Sequence, residues 1–196
     1  MKKAFSQACE NNKQPILDIL SQEFSRVQSV LEIGSGTGQH AVHFAQHLPH
    51  LTWSTSDLTI NHQSIELRIT EASLPNLNKP ITLDLNQPWA IKNVDAIFTA
   101  NTLHIVSYPL VIKFFEGVDK HLTHGGKLCI YGPFNYNGQF TSQSNSDFDL
   151  WLKARDPQSG IRHIEDIVTL ANQANLVLTN DHQMPANNRL LTFIKR

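Results

Sequence analysis

The chain is predicted to fold as an α/β protein, a mainly parallel sheet covered by helices on both faces. Strand-like and helix-like patterns alternate along most of its length, and an apolar strand, Val30 to Ile33, runs straight into a glycine turn and an amphipathic helix. A third observation bounds the size: 196 residues, 40% of them hydrophobic, can bury one full core, so a single domain spanning 1–196 is expected.

The elements follow in order. A first helix is expected from Pro15 to about Arg26, with proline in its first turn and an apolar stripe of Ile16, Leu17, Leu20 and Phe24. Strands are expected at Ser29 to Ile33, Leu51 to Ser56, Ile81 to Leu85, Val94 to Ala100 and Lys127 to Tyr131, with helices in the gaps. The helix after the fourth strand starts near Ser107-Tyr108-Pro109, presents Leu110, Val111, Phe114, Phe115 and Val118, and stops before Gly125-Gly126. Beyond the fifth strand the pattern breaks into a loop rich in turn residues and aromatics from Gly132 to Phe140. Two short helices follow, Ser146 to Ala154 and Ile164 to Ala174, and the apolar runs Leu176 to Thr179 and Leu190 to Ile194 form a terminal antiparallel hairpin.

Composition removes several function classes. Sixteen basic against 17 acidic residues give a formal charge of −1, and no basic block marks a nucleic-acid surface, so a small-molecule partner is expected. No apolar run approaches the roughly 20 residues needed to span a bilayer, and Met1 to Asn12 lacks the apolar stretch of a signal peptide; a cytoplasmic location is the expectation. Cys9 and Cys129 have neither pair nor ligand spacing, so no disulfide or metal site is expected. His40, His43, His47 and His50 recur at helical spacing opposite Ala41, Phe44, Ala45 and Leu48, and are read as the solvent side of an amphipathic helix rather than a metal stripe. No pattern in the chain bears on oligomeric state.

The glycine turn carries the strongest signal. Gly34, Gly36 and Gly38 let the backbone turn sharply at a strand end and approach a ligand with no Cβ in the way, while the next helix offers unpaired N–H groups. A dinucleotide fingerprint would place its third glycine at position 39, which is Gln39. With Glu32 two residues ahead of Gly34, the E-x-G-x-G-x-G spacing resembles the first motif of class I S-adenosylmethionine-dependent methyltransferases. That ligand carries a sulfonium and an amino acid but no pyrophosphate, so acidic groups beside the turn are favourable. The resemblance implies that Glu32, Gly34, Ser35, Gly36 and Gly38 bind the cofactor.

Ligands of open α/β sheets sit beyond the carboxyl ends of the strands, so the strand-end residues become candidates. Asp57, 19 positions after Gly38, can accept hydrogen bonds from both ribose hydroxyls; its plain alternative is a helix cap. Asp84 and Leu85 end the third expected strand, where methyltransferase relatives hold adenine; a solvent-facing turn is the alternative for Asp84. Asn101 follows the fourth strand, beside the expected place of the methionine part. Lys13 can pair with a carboxylate of cofactor or substrate, or be a solvated helix start. For chemistry, His104 either takes a proton from the acceptor or orients a loop, and Tyr136 stands beside it as a second catalytic candidate. Asn135, Asn137, Arg162, Asn188 and Arg189 are expected to line the acceptor pocket, with an N-terminal lid over about 1–14 and a substrate loop over about 132–163.

Over nearly its full length the chain is similar to a branch of that superfamily called domain of unknown function 938, or methyltransferase-like protein 26 in animals. The phrases that carry the likeness are Asn12 to Leu17, Ser35 to His40, Phe98 to Ile105, Tyr131 to Gly138, Arg155 to Arg162 and Met184 to Arg189. It implies a Rossmann-like class I methyltransferase fold, a seven-stranded sheet with a reversed last strand, S-adenosylmethionine as donor and S-adenosylhomocysteine as product. The expected function is therefore methyl transfer to a small polar acceptor. Its alternative is a non-catalytic sensor or partner protein that binds S-adenosylmethionine or S-adenosylhomocysteine.

Overall fold

A computed structural model describes residues 3–196. Seven strands form one sheet: β1 (Ser29–Ile33), β2 (Thr52–Asp57), β3 (Leu77–Thr82), β4 (Val94–Ala100), β5 (Leu122–Gly132), β8 (Leu176–Met184) and β9 (Asn188–Lys195). Their order is β3-β2-β1-β4-β5-β9-β8, with the first five mutually parallel and β9 antiparallel to both β5 and β8. The order reverses between β1 and β4, which opens a crevice at the carboxyl ends of those two strands. The expected α/β sheet with a reversed last strand is the observed one.

Strand alternation splits the core into two layers. Val30, Trp53, Ala96, Phe98, Cys129 and Tyr131 face α1 (Gln7–Glu23), α2 (Gln39–His47) and α3 (Thr59–Ala72). Leu31, Ile33, Ile97, Leu128, Ile130 and Phe193 face α4 (Tyr108–His121) and α6 (Ile164–Gln173). Each aliphatic or aromatic side chain so buried contributes roughly 1.5–3 kcal/mol, which is what fixes the helices to the sheet. Of the remaining elements, α5 (Gln143–Arg155) contains the helix expected at Ser146 to Ala154, while β6 (Phe134–Asn135) and β7 (Arg162–His163), paired in parallel, lie in stretches expected to be irregular.

Several boundaries depart from expectation for identifiable reasons. The first helix begins at Gln7, capped by Ser6, whose Oγ accepts from the Cys9 N–H at 3.3 Å, and Pro15 lies inside it. Its polar first half is held by tertiary bonds rather than by an apolar stripe: Gln39 Oε1 accepts from the Ser6 N–H at 2.7 Å and Asn12 Oδ1 lies 2.6 Å from His40 Nε2. The third strand is Leu77–Thr82 rather than Ile81 to Leu85. It is an edge strand carrying Pro80, a position where neither alternation nor a full set of N–H donors is needed. Helix α4 stops before Gly125 and Gly126 as expected, but both glycines lie within β5, which starts earlier than expected, and the terminal strands run longer than their apolar runs.

The histidine row is also corrected. His47 and His50 are exposed, but His40 is buried, stacked on Phe44 at 5.3 Å, because the first turn of α2 faces α1. Among the described residues no group of three His, Cys, Asp or Glu side chains converges as a metal site, and no helix is long and apolar enough to cross a membrane. Of the expected lid, residues 1 and 2 lie outside the described residues and 7–14 belong to α1.

Candidate functional site

A cavity of about 750 Å³ opens at the β1/β4 crevice. Its floor is the glycine loop. Gly34, Gly36 and Gly38 all take positive φ, at 72°, 55° and 77°. A Cβ on Gly34 would lie 2.7 Å from Thr102 Oγ1, so this glycine allows β1 and the segment after β4 to approach each other. At Gly36 the nearest protein atom to such a Cβ is Gly34 O at 3.9 Å, so its backbone is left open to a ligand.

Glu32 lies beneath this loop rather than on the cavity wall. Its Oε2 accepts from Ser35 Oγ at 2.9 Å and from Trp53 Nε1 at 3.2 Å, while Ser35 Oγ accepts from the Ser56 N–H at 3.1 Å. Burial pushes the Glu32 carboxyl up to about 7 against those two hydrogen bonds, and the charge of Asp57 adds to the rise. It acts by bracing the turn from behind, and Ser35 both joins this brace and reaches the cavity.

Asp57 does stand in the wall, at the end of β2. Its Oδ2 accepts from the Gly36 N–H at 2.7 Å, and its Oδ1 from the Leu58 N–H and from Asn61 Nδ2, each at 2.7 Å. It therefore ties the glycine turn to the start of α3 and forms part of the wall. Asn101, in the left-handed region at φ 56°, lines the same cavity with its N–H given to Tyr131 O at 2.9 Å. Asp84 and Leu85 do not reach the cavity. Asp84 Oδ1 takes the N–H of Asn86 at 2.8 Å in a local turn, and Leu85 packs on the α4/α6 side of the core.

His104 is buried in the wall near Asn101, edge-on to Phe148 at 5.4 Å. Gly132 makes room for it, since a Cβ there would come within 3.3 Å of His104 Nδ1. Burial, and then the nearby charge of Arg162, lower its pKa to about 4, so the ring is neutral at ordinary pH. Arg162 itself faces away from the cavity: Nε donates to Leu103 O at 2.9 Å, and one terminal nitrogen donates to Gln158 O at 3.0 Å and to Val106 O. It clamps the 103–106 segment that carries His104.

The other expected acceptor residues divide. Asn188 lines the cavity. Tyr136 does not: its hydroxyl donates to Asp181 Oδ2 at 2.8 Å, and burial with that carboxylate raises its pKa. Arg189 is paired to the same Asp181, with Nε 2.6 Å from Oδ1, and together with Tyr136 borders a separate depression. Asn137 is exposed, with its N–H given to Glu165 Oε1 at 2.8 Å, and buried Asn135 lies in β6 away from the wall. Lys13 pairs with Glu10 at 2.6 Å and borders another surface pocket on the far side of α2.

Two parts of the wall fall within the expected lid and substrate loop, but sequence reasoning did not single out their residues. The start of α1 supplies Ser6 and Cys9, held in place by Gln39, whose Nε2 donates to Glu10 Oε1 at 2.6 Å. Helix α5 supplies Asn145, Phe148, Trp151 and Arg155. A signal for α5 was present in the i, i+3, i+7 spacing of Phe148, Trp151 and Arg155, which sets them on one side of a helix.

A model of the family described as "Protein of unknown function (DUF938)" matches residues 3–195. The chain belongs to this DUF938 family. Its fold has well-matched solved neighbours. An O-methyltransferase family protein from Burkholderia thailandensis superposes with a TM-score of 0.82 at 18% identity, covering 93% of this chain and 56% of that one. The S-adenosylmethionine-dependent methyltransferase SibL gives 0.81 at 18% identity, over 96% and 55% of the two chains. NcsB1, an O-methyltransferase of neocarzinostatin biosynthesis solved with S-adenosylmethionine and 2-hydroxy-5-methyl naphthoic acid, gives 0.81 at 13% identity, over 96% and 55%. The DUF938 chain thus spans about 55% of the length of these neighbours, and what they share with it is the Rossmann-like methyltransferase fold.

Proposed function

We propose that this DUF938 protein is an S-adenosylmethionine-dependent methyltransferase acting on a small polar acceptor. The observation that carries the reading is the junction of Gly36 and Asp57 on the floor of the cavity, an open backbone beside a carboxylate. At about 750 Å³ the cavity falls within the roughly 300–1,000 Å³ of small-molecule sites. The residues fit the cofactor: Gly34, Ser35 and Gly36 would take its backbone-facing side, Asp57 the ribose hydroxyls, and Asn101 the amino acid end. The neighbour solved with S-adenosylmethionine bound supports the same choice.

When bound, the cofactor supplies a methyl group on an already activated sulfonium. The chain's own work is then positioning, with reacting atoms held close and in line. His104, neutral in the wall, accepts a hydrogen bond from an acceptor hydroxyl or amine and orients it. With a pKa near 4 it is a weak general base at pH 7, so orientation is its larger contribution. Arg162 keeps His104 in place from behind, through the three carbonyls it holds.

A second reading, a protein that binds the cofactor without turnover, is favoured by one observation: Tyr136 is committed to Asp181 and does not reach the cavity. Incubation with S-adenosylmethionine and a metabolite pool, read by release of S-adenosylhomocysteine, separates the two. Release dependent on His104 and Asp57 supports the enzyme, and binding without release supports the sensor. Calorimetry in which neither cofactor form binds at about millimolar concentration would remove both readings.

A further inference from the structure

The two ends of the cavity differ in charge. Apart from histidines, the charged side chains in its wall are Asp57 at the glycine loop and Arg155 on α5. Among the described residues Arg155 has no carboxylate partner; its guanidinium lies 4.7 Å from the Trp151 ring centroid instead. Trp151 is 53% exposed although two further tryptophans, Trp53 and Trp89, are buried. It stacks on Phe148 at 5.8 Å with planes 17° apart, and Phe148 in turn meets His104 edge-on. An aromatic surface therefore leads from a cation without a carboxylate partner at the mouth to the imidazole at depth.

The platform is built rather than frayed. Ser142 caps α5 by accepting the Asn145 N–H at 3.1 Å, and Asn145 Nδ2 donates to Thr141 Oγ1 at 2.9 Å. Buried Asp149 accepts the Ile161 N–H at 2.7 Å, and a Cβ on Gly160 would come 2.7 Å from the same Oδ1, so α5 seats tightly against that turn. Leu152 is buried on the inner side while Phe148, Trp151 and Arg155 stay on the cavity side.

We infer that α5 is the acceptor-recognition surface and that the acceptor is a planar aromatic acid bearing a hydroxyl or amine. Resting on the methyltransferase reading, this names the acceptor class for the same cavity. A flat ring gains stacking on Phe148 and Trp151 that a saturated ring of equal size does not. Its carboxylate pairs with Arg155, a wall cation that lacks an anion among the described residues, and this leaves the ring substituent directed toward His104. A cationic acceptor would be repelled at this entrance.

The test is calorimetric titration of the whole protein, with and without saturating S-adenosylhomocysteine, using β-hydroxynaphthoate, its uncharged relative β-naphthol and its saturated relative decahydro-β-hydroxynaphthoate. The wild-type protein is expected to prefer β-hydroxynaphthoate over both others by about tenfold or more. Arg155→Gln is expected to weaken β-hydroxynaphthoate by about tenfold with β-naphthol unchanged, and Trp151→Leu to weaken both, with S-adenosylhomocysteine affinity and melting temperature unaltered in each variant. Wild-type protein that binds S-adenosylhomocysteine but not β-hydroxynaphthoate, equal binding of decahydro-β-hydroxynaphthoate, or an Arg155→Gln variant that loses S-adenosylhomocysteine would overturn the inference. β-Hydroxynaphthoate binding in protein that binds no S-adenosylhomocysteine would instead keep the aromatic site and remove the methyltransferase reading.

Discussion

The Gly36 N–H donates to Asp57 Oδ2 at 2.7 Å, tying the turn after β1 to the end of β2 and giving the cavity floor its shape. The two glycines of this turn nearest the cavity should respond differently to alanine. Gly34→Ala adds a Cβ 2.7 Å from Thr102 Oγ1 in a left-handed backbone, and should cost about 2–4 kcal/mol in urea unfolding. Gly36→Ala, with open space around the Cβ, should cost about 1–2 kcal/mol and lower cofactor affinity by about tenfold or more. The reverse order of stability losses would mean that the loop is packed otherwise.

Arg162 should behave as a clamp on the His104 segment. Arg162→Met leaves the Leu103, Val106 and Gln158 carbonyls without their charged donor and should lower stability by about 2–3 kcal/mol. It also removes a positive charge that depresses the His104 pKa, so that pKa should rise from about 4 while burial still holds it below 6.5. Titration of the His104 ring signals by NMR reads this directly, and an unmoved titration would dissociate the two residues.

Tyr136→Phe should leave S-adenosylhomocysteine affinity unchanged, because its hydroxyl is spent on Asp181 outside the cavity wall. Asp181 keeps Arg189 as a partner, so the stability loss should be about 1 kcal/mol. A variant with normal stability and lost cofactor binding would put Tyr136 back in the site.

Acid should destabilise the fold. Burial lowers His40 and His104 to about 4 from 6.5, so the unfolded chain takes up protons first as pH falls. The stability present above about pH 6.5 is lost between about 6.5 and 4, by roughly 2–4 kcal/mol for each histidine. Glu32 works in the opposite sense: raised to about 7 from 4.5, its contribution is fully present below 4.5 and lost as pH rises through 7. Two histidines outweigh one carboxyl, so urea midpoints should fall steadily below about pH 6.5, and Glu32→Gln should make that fall steeper. A flat profile would contradict the buried, neutral state of these histidines.

What the sequence revealed and what it hid follow from where the signals lie. The strands at Val30 to Ile33 and Val94 to Ala100 were legible because central parallel strands bury both faces and read as apolar runs. The edge strand Leu77–Thr82 was not, since only Leu77 is buried there and Pro80 lies within it. Gly34, Gly36 and Asp57 announced themselves through spacing. Arg162 and Tyr136 did not reveal their direction, because an arginine clamping carbonyls and one awaiting a carboxylate are the same letter. Gln39 illustrates the reverse: its identity excluded a dinucleotide glycine, while its contacts with Ser6 and Glu10, which draw α1 onto the cavity, depend on residues about 30 positions away.

The central claim is that the Gly36–Asp57 junction holds S-adenosylmethionine, and calorimetry with S-adenosylhomocysteine on wild type and Asp57→Ala tests it most directly. Wild type should bind with micromolar to submillimolar affinity, and Asp57→Ala should lose about tenfold to a hundredfold while far-ultraviolet circular dichroism stays unchanged. Asp57→Asn, which keeps one oxygen for the Gly36 N–H, should fall between the two. Wild-type affinity retained by a folded Asp57→Ala would contradict the claim.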